Sequence, residues 1–328
     1  MQYYRLPHSR FFSLLLISTL ILNSLAIKGQ QTSQAPSANS LVLPKAIVVQ
    51  LKPNGVKVPN GGHLQGVQCL NDSLLLITAS SNSYSYYLLA QFNIATGKGV
   101  LISIHKISDS PFRHAGGCQL YEHTLAVGIE DNHSKDKSDI LLISFDEKGS
   151  ETARRVVAHR SGEVKRSTAG AVGFTKLANK QYMLVVGDWD SKNLDVYISK
   201  PGVDSVFDSL TTVHITDLKQ VPSYQAINLF CDVNGNVHMD GFALDGTKNR
   251  SDEFMLLLNG GKAKLVHKRT DIYKCQGGAS FRFGSGVEVM SEDEIIVYSC
   301  GRGTRPFTTI NIFDNKGLGD MKPQPYRR

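Results

Sequence analysis

HAGGCQLYEHTLAVGIE, residues 114–130, carries the pattern that decides the fold. A stretch of small residues, HAGGCQL, runs into a short polar turn, YEHT, and then into a continuous apolar run, LAVGI. HLQGVQCLNDSLLLITAS, which starts at residue 63, has the same order. So do TAGAVGFTKLANKQYMLVVGDWD from residue 168, YQAINLFCDVNGNVHMDGFALD from 224 and FGSGVEVMSEDEIIVYSCGRG from 283. The successive starts lie 51, 54, 56 and 59 residues apart. Each copy continues through a polar loop to a third run: YYLLAQF, DILLISF, LDVYIS, EFMLLL or TTINIF. Four of the five end on a fourth run: GVLISIHKI, TARRVVAH, SLTTVHI or KAKLVHKR.

Short apolar runs bounded by Gly, Asn, Asp and Ser are strands, and no window of a dozen residues keeps a helical apolar period. The chain is therefore expected to be all-β. A unit of four strands recurring at about 40–50 residues is the pattern of propeller blades. The expected architecture is a five-bladed β-propeller over residues 41–318 with four antiparallel strands per blade. The fifth unit has no fourth run of its own, because the chain passes into GLGDMKPQPYRR and a tail at 319–328. An unassigned alternating stretch, LVLPKAIVVQL at 41–51, precedes the first unit. It is expected to complete the last blade, closing the ring and protecting the final edge from stray pairing. A pair of two-sheet sandwiches would not explain one unit recurring five times.

The repeat resembles the five-bladed β-propellers as a fold group, which includes tachylectin-like lectins and the arabinanase, invertase and levansucrase glycosidases. The resemblance covers the whole repeat region at the level of architecture, and the glycosidases' carboxylate motifs are not found here. It implies that the first strand of each blade lines a central channel. It also implies that the loop leading into that strand and the loop between strands two and three open on one face.

The N-terminus has a basic start (Arg5, Arg10), an apolar stretch from Phe11 to Leu22, and Ser24-Leu25-Ala26. The apolar stretch is shorter than the ~20 residues of a membrane span, so the segment 1–26 is expected to be a cleaved signal peptide and the protein exported. Residues 27–40, polar and rich in Ser, Gln and Ala, are expected to be a disordered leader. Removing Arg5 and Arg10 lowers the formal charge by two, from +7 to +5. The remaining basic residues are scattered, which argues against a nucleic-acid surface. The five cysteines are an odd number, so at least one thiol has no partner within the chain. Cys275 and Cys300 flank one hairpin and could pair. Cys69 and Cys118 sit in apolar strands and are expected to be inert.

The small residues of the first strands, among them Gly66, Gly116, Gly117, Gly170 and Gly286, suit a crowded ring axis. The polar residues beside them need another explanation. His63, His114, Thr168, Gln225 and Arg282 fall at equivalent starts, and Gln68, Gln119, Asn228 and Glu288 follow inside the strands. Buried polar groups demand partners, which a ligand, water or one another must supply. The loops between second and third strands add Glu130, Asp131, Asp188, Asp190, Arg302 and Arg305 to the same face, with the single tryptophan, Trp189. The candidate ligand-binding set is His63, Gln68, His114, Gln119, Glu130, Asp188, Gln225, Asn228, Arg282, Glu288 and Arg302. DWDSKNLD, residues 188–195, lacks the glycine and distal glutamate of an EF-hand and reads as a polar turn.

No diagnostic catalytic motif is present: there is no G-x-S-x-G, HExxH or P-loop. Glu130, Asp188 and His114 are the catalytic candidates, with Asp240 or Glu288 as a third carboxylate. Two carboxylates roughly 5–10 Å apart would suit glycoside cleavage. His63 and His114 with a carboxylate would suit a divalent cation, and no other cofactor is expected. The loops differ from unit to unit, which favours one axial site over five peripheral lectin sites. The reading is recognition of a small polar extracellular ligand of the carbohydrate class in one axial pocket. A secreted glycoside-type hydrolase using the same pocket is the first alternative. A partner-binding scaffold, with the tyrosines of SSNSYSYY exposed as an interface, is the second.

Overall fold

The computed structural model of the chain describes residues 45–215, 218, 221–232, 234–291 and 294–314. The expected signal peptide, the leader and the tail at 319–328 lie outside them, as do residues 41–44 of the expected N-terminal strand. Twenty strands and one 3-10 turn, Trp189–Ser191, make up the regular structure, with no α-helix among the described residues. None of these residues forms a helix long and apolar enough to cross a membrane.

The strands follow the repeat. The first unit holds β2 (Leu64–Asn71), β3 (Leu74–Ala79), β4 (Tyr84–Asn93) and β5 (Lys98–Asp109). The second holds β6 (His114–Tyr121), β7 (Thr124–Glu130), β8 (Lys137–Phe145) and β9 (Glu151–Ser161). The third holds β10 (Ala171–Lys176), β11 (Tyr182–Gly187), β12 (Asn193–Ser199) and β13 (Phe207–His214). The fourth holds β14 (Ala226–Cys231), β15 (Val237–Asp245), β16 (Lys248–Asn259) and β17 (Lys262–Tyr273). The fifth holds β18 (Ser285–Ser291), β19 (Glu294–Cys300) and β20 (Thr308–Asp314), and β1 (Ile47–Lys52) pairs antiparallel with β20, Ile47 opposite Ile312.

Within each unit consecutive strands pair antiparallel. Single parallel bridges join first strands, Gly66 to Ser285 and Gly117 to Ala171. β1 also runs parallel to β5, Gln50 beside Lys98. The resulting sheets curl: eight strands close on themselves in the order β1-β20-β19-β18-β2-β3-β4-β5, a second set of eight joins units two and three, and β14–β17 form a third sheet.

Five apolar layers separate neighbouring units. Leu76, Tyr87 and Leu89 pack on Val127, Leu141 and Ile143. Ala126, Ile140 and Leu142 meet Phe174, Leu184 and Val186. Met183, Val185 and Val196 meet Leu229, Met239 and Phe254. Phe242 and Tyr273 meet Phe281, Val297 and Phe313. Tyr298, Ile310 and Ile312 return to Leu75, Ile77 and Leu88. The second strands are covered on both faces, which is why LLLITA is apolar throughout and buried at every position. The same burial corrects the expected tyrosine interface. Tyr86 and Tyr87 face opposite layers and are 3% and 0% exposed, because a strand sandwiched between two neighbours has no solvent side.

The first strands crowd together, and glycine is needed where they do. A Cβ on Gly117 would lie 2.2 Å from the Gln225 carbonyl oxygen, and one on Gly116 would lie 2.4 Å from that of Gly170. Three buried amides tie these strands across units. The Gln119 Oε1 accepts from the backbone N–H groups of Phe174 (2.7 Å) and Leu229 (2.6 Å), and its Nε2 donates to the Leu229 carbonyl at 2.6 Å. The Asn228 Oδ1 accepts from the Val287 N–H at 2.6 Å, and the Gln68 Nε2 donates to the Cys118 carbonyl at 3.0 Å. Gln119→Ala strands two backbone donors and one acceptor. Water from the adjoining cavity can reach them, so the expected cost is about 2 kcal/mol, read as a lower urea midpoint at unchanged slope. A loss within error would show that these bonds carry no weight.

All five cysteines are free thiols, so Cys275 and Cys300 are unpaired. Burial pushes the Cys118 thiol up to about 12 and Cys275 to about 11, so both are unreactive at neutral pH.

Candidate functional site

The first strands are aligned, so their N-terminal ends meet at one mouth and their C-terminal ends at the other. The first mouth holds a cavity of about 790 Å³. His63, His114, Glu130, Asp188, Gln225, Arg282 and Arg302 all line it. So do Gln65, Trp189, Asp190, Tyr224, Asp245 and Phe283, which come from the starts of first strands and from the loops between second and third strands.

Gln68, Gln119, Asn228 and Glu288 lie elsewhere, around a cavity of about 630 Å³ at the opposite mouth. The expectation of a single pocket holding all the candidates therefore gives way to two cavities. A strand rises ~3.3 Å per residue, so five residues carry the chain from one mouth to the other. The three amides are occupied by the bonds between units described above. Glu288 accepts from the Tyr298 hydroxyl at 2.8 Å. Asp240 is buried within β15 and lines neither cavity; burial and the neighbouring Glu253 hold its carboxyl well above the usual range. Thr168 is also buried, donating its hydroxyl to the Lys165 carbonyl at 2.6 Å.

A linked polar cluster forms one side of the first cavity. The Gln65 Nε2 donates to the His114 Nε2 at 2.7 Å and lies 2.9 Å from the His63 Nδ1. The other ring nitrogen of His114, Nδ1, lies 3.0 Å from the Glu130 Oε1 without hydrogen-bond alignment. The other Glu130 oxygen accepts from the Ala169 N–H at 2.9 Å. The two imidazoles stand edge to face with centroids 5.9 Å apart, and Phe283 lies against His63 at 6.2 Å. Burial, opposed by a bond to the Leu64 carbonyl and assisted by the charges of His114, Arg302 and Arg282, lowers the His63 pKa. Gln65 was missed in the sequence. The available signal was its place two residues after His63, since alternate residues of a strand share a face.

Asp188 sits at the end of β11 and accepts from the Asn193 N–H at 2.9 Å and the Asn193 Nδ2 at 2.5 Å. Burial raises its carboxyl pKa against those bonds and the charges of Arg166 and Arg160. Trp189 borders the cavity with the Lys135 ammonium 4.0 Å from its ring centroid, a cation–π contact. Asp190 follows at φ 65°. Asp131 is buried and caps its own loop by accepting from the N–H groups of His133 and Ser134. Arg305 points away from the cavity, 3.5 Å from the Val58 carbonyl. Among the described residues no group of three or more His, Cys, Asp or Glu side chains is arranged to hold a metal ion.

No family model and no curated protein matches the chain. Several solved structures resemble it. An α-L-arabinanase of Penicillium chrysogenum complexed with arabinobiose is 12% identical, with a TM-score of 0.47 over 83% of this chain and 98% of the other. An exo-β-1,3-galactanase of Phanerochaete chrysosporium with β-1,3-galactotriose is 9% identical, with a TM-score of 0.45 over 82% of this chain. An exo-β-1,3-galactanase of Clostridium thermocellum is 10% identical, with a TM-score of 0.47 over 84% of this chain. The chain spans 63% of the length of each galactanase. At these values the likeness assigns neither ligand nor reaction.

Proposed function

We propose that the five groups of four strands are the blades of an exported five-bladed β-propeller, closed by its N-terminal strand. We further propose that it recognises a small polar ligand of the carbohydrate class in the first cavity. One observation carries this reading: hydrogen-bonding groups of every kind converge on a cavity of about 790 Å³ beside three aromatic rings, Trp189, Tyr224 and Phe283. Sugars present both hydroxyls and apolar ring faces, and pockets of roughly 300–1,000 Å³ are the size that encloses ligands of a few rings. Glu130 and His114 are held by the protein itself, which suits a rigid recognition surface.

The test is thermal melting of the mature protein against neutral and charged oligosaccharides, with and without chelator. A sugar present at ~100 times its Kd stabilises the native state by about 2.7 kcal/mol. His114→Ala is expected to abolish that rise. A protein whose melt no sugar shifts is not a carbohydrate receptor, and the partner-binding reading then replaces this one.

Hydrolysis is the second reading, favoured by one feature: burial raises the Asp188 carboxyl within a cavity that also holds Glu130, Asp190 and Asp245. A raised carboxyl is the form a general acid needs. In that case Asp188→Asn retains binding and loses about 10²–10⁴-fold in cleavage. A wild-type protein that binds a sugar and releases no reducing ends is a receptor only.

A further inference from the structure

The arginines of this protein divide sharply. Arg154, Arg155, Arg160, Arg166, Arg250 and Arg269 pair with carboxylates. Arg113 donates to the Asn82 carbonyl at 2.8 Å, and Arg305 reaches the Val58 carbonyl. Among the described residues this leaves Arg282 and Arg302 as the two whose guanidinium groups have no hydrogen-bond or ion-pair partner. Both line the first cavity.

Their placement is built. Arg302 follows β19, and its carbonyl accepts from the Leu64 N–H at 3.0 Å, which fixes the loop against the start of β2 beside His63. Arg282 lies in the turn before β18. Its N–H donates to the Ser280 hydroxyl at 3.2 Å, and Ser280 in turn donates to Asn249 (2.9 Å) and to the Cys300 carbonyl (3.1 Å). Two separate loops thus anchor their backbones in the same corner and leave two cations facing one space. The carboxylates of the cavity come from other units: Glu130 from the second, Asp188 and Asp190 from the third, Asp245 from the fourth. Asp245 is already paired with Arg250 at 3.2 Å. The cavity is therefore polarised, with a basic side at Arg282 and Arg302 and an acidic side across from it.

We infer that the ligand is an acidic saccharide whose oxyanion, a carboxylate or a sulfate, is bound between Arg282 and Arg302 while its hydroxyls face the acidic side. The inference rests on the carbohydrate reading above. Planar guanidinium groups match both oxyanions through paired N–H donors, and bonds of this kind are the stronger ones. Both arginines are open to solvent, so a neutral sugar would leave them to water and gain nothing from their charge.

The experiment is calorimetric titration with three probes of matched length: oligogalacturonates, sulfated oligogalactosides and neutral oligogalactosides. An acidic probe is expected to bind tighter than the neutral one, and more weakly as salt is raised. Arg282→Gln and Arg302→Gln should each weaken the acidic probe about 10–100-fold and the neutral probe by a smaller factor, so that the preference for the acidic probe falls. Arg305→Gln, outside the cavity, should change neither. The carboxylate and sulfate arms identify the oxyanion. Acidic and neutral probes binding equally, or acidic binding that survives both substitutions, would overturn the inference. If the neutral probe alone binds and His114→Ala abolishes it, the carbohydrate reading stands and the acidic one is rejected. If no probe binds, both are rejected.

Discussion

Asp195→Ala should cost about 3–5 kcal/mol of stability at neutral pH, because it leaves buried positive charge without its counterion. The Asp195 carboxylate is 7% exposed and holds two arginines at once. Arg166 donates to both of its oxygens at 2.5 Å, Arg160 approaches at 2.7 Å and the Thr212 hydroxyl donates at 2.6 Å. Arg160 is itself 8% exposed, so water cannot take over the lost contact. Burial alone would raise the Asp195 pKa. The bonds from Arg166 and Thr212 and the charge of Arg160 outweigh it, and the carboxyl lies below its ordinary value. A carboxyl with a lowered folded pKa stabilises the protein above its unfolded pKa of about 3.9. That stability is lost as pH falls through the folded value. The difference between wild type and Asp195→Ala should therefore be full at pH 7 and shrink in acid. Urea unfolding at neutral and acidic pH reads both. A neutral-pH loss under about 1 kcal/mol would place this cluster with ordinary surface ion pairs.

Gly286→Val should cost about 3 kcal/mol, the upper part of the ordinary range for overpacking. A Cβ at Gly286 would lie 1.9 Å from the Val67 carbonyl oxygen and 2.4 Å from the Gln68 Nε2. The nearer atom is backbone in a paired strand, so β2 and β18 must separate. That movement also strains the Gln68 bond to the Cys118 carbonyl. Gly303→Val is the control, since a Cβ there meets nothing within 4 Å and the expected change is below about 0.5 kcal/mol. Because β2 carries Gln65 and follows directly on His63, the Gly286 variant should also weaken binding in the first cavity. A melt equal to that of the control would mean the first strands are not tightly packed.

The repeat was legible because each unit solves the same physical problem. A strand covered on both faces must be apolar at every position, which makes LLLITA and YMLVVG stand out from the alternating outer strands. Strands crowded against their neighbours need glycine, which makes HAGGCQ and FGSGVE stand out in turn. The completion of the last sheet by residues 47–52 was legible for a simpler reason: the fifth unit was one strand short and the N-terminus had one to spare. The residues of the first cavity followed from knowing that the starts of first strands share a mouth.

What the linear chain could not decide was how each polar side chain is occupied. His63 and Gln68 are five residues apart and equally polar, yet one borders the first cavity and the other ties two strands together at the opposite mouth. Tyr86 and Tyr87 in SSNSYSYY looked exposed and are buried, because burial depends on neighbouring units: the last one for Tyr86 and the second for Tyr87. The freedom of Arg282 and Arg302 is likewise a matter of position. Each of the other described arginines meets a carboxylate or carbonyl that folding brings near, and these two border the cavity and face solvent. Hydrophobic period and turn residues are local properties and are written in the chain. The pairing of a charge depends on distances between units, and only the packed sheets set those.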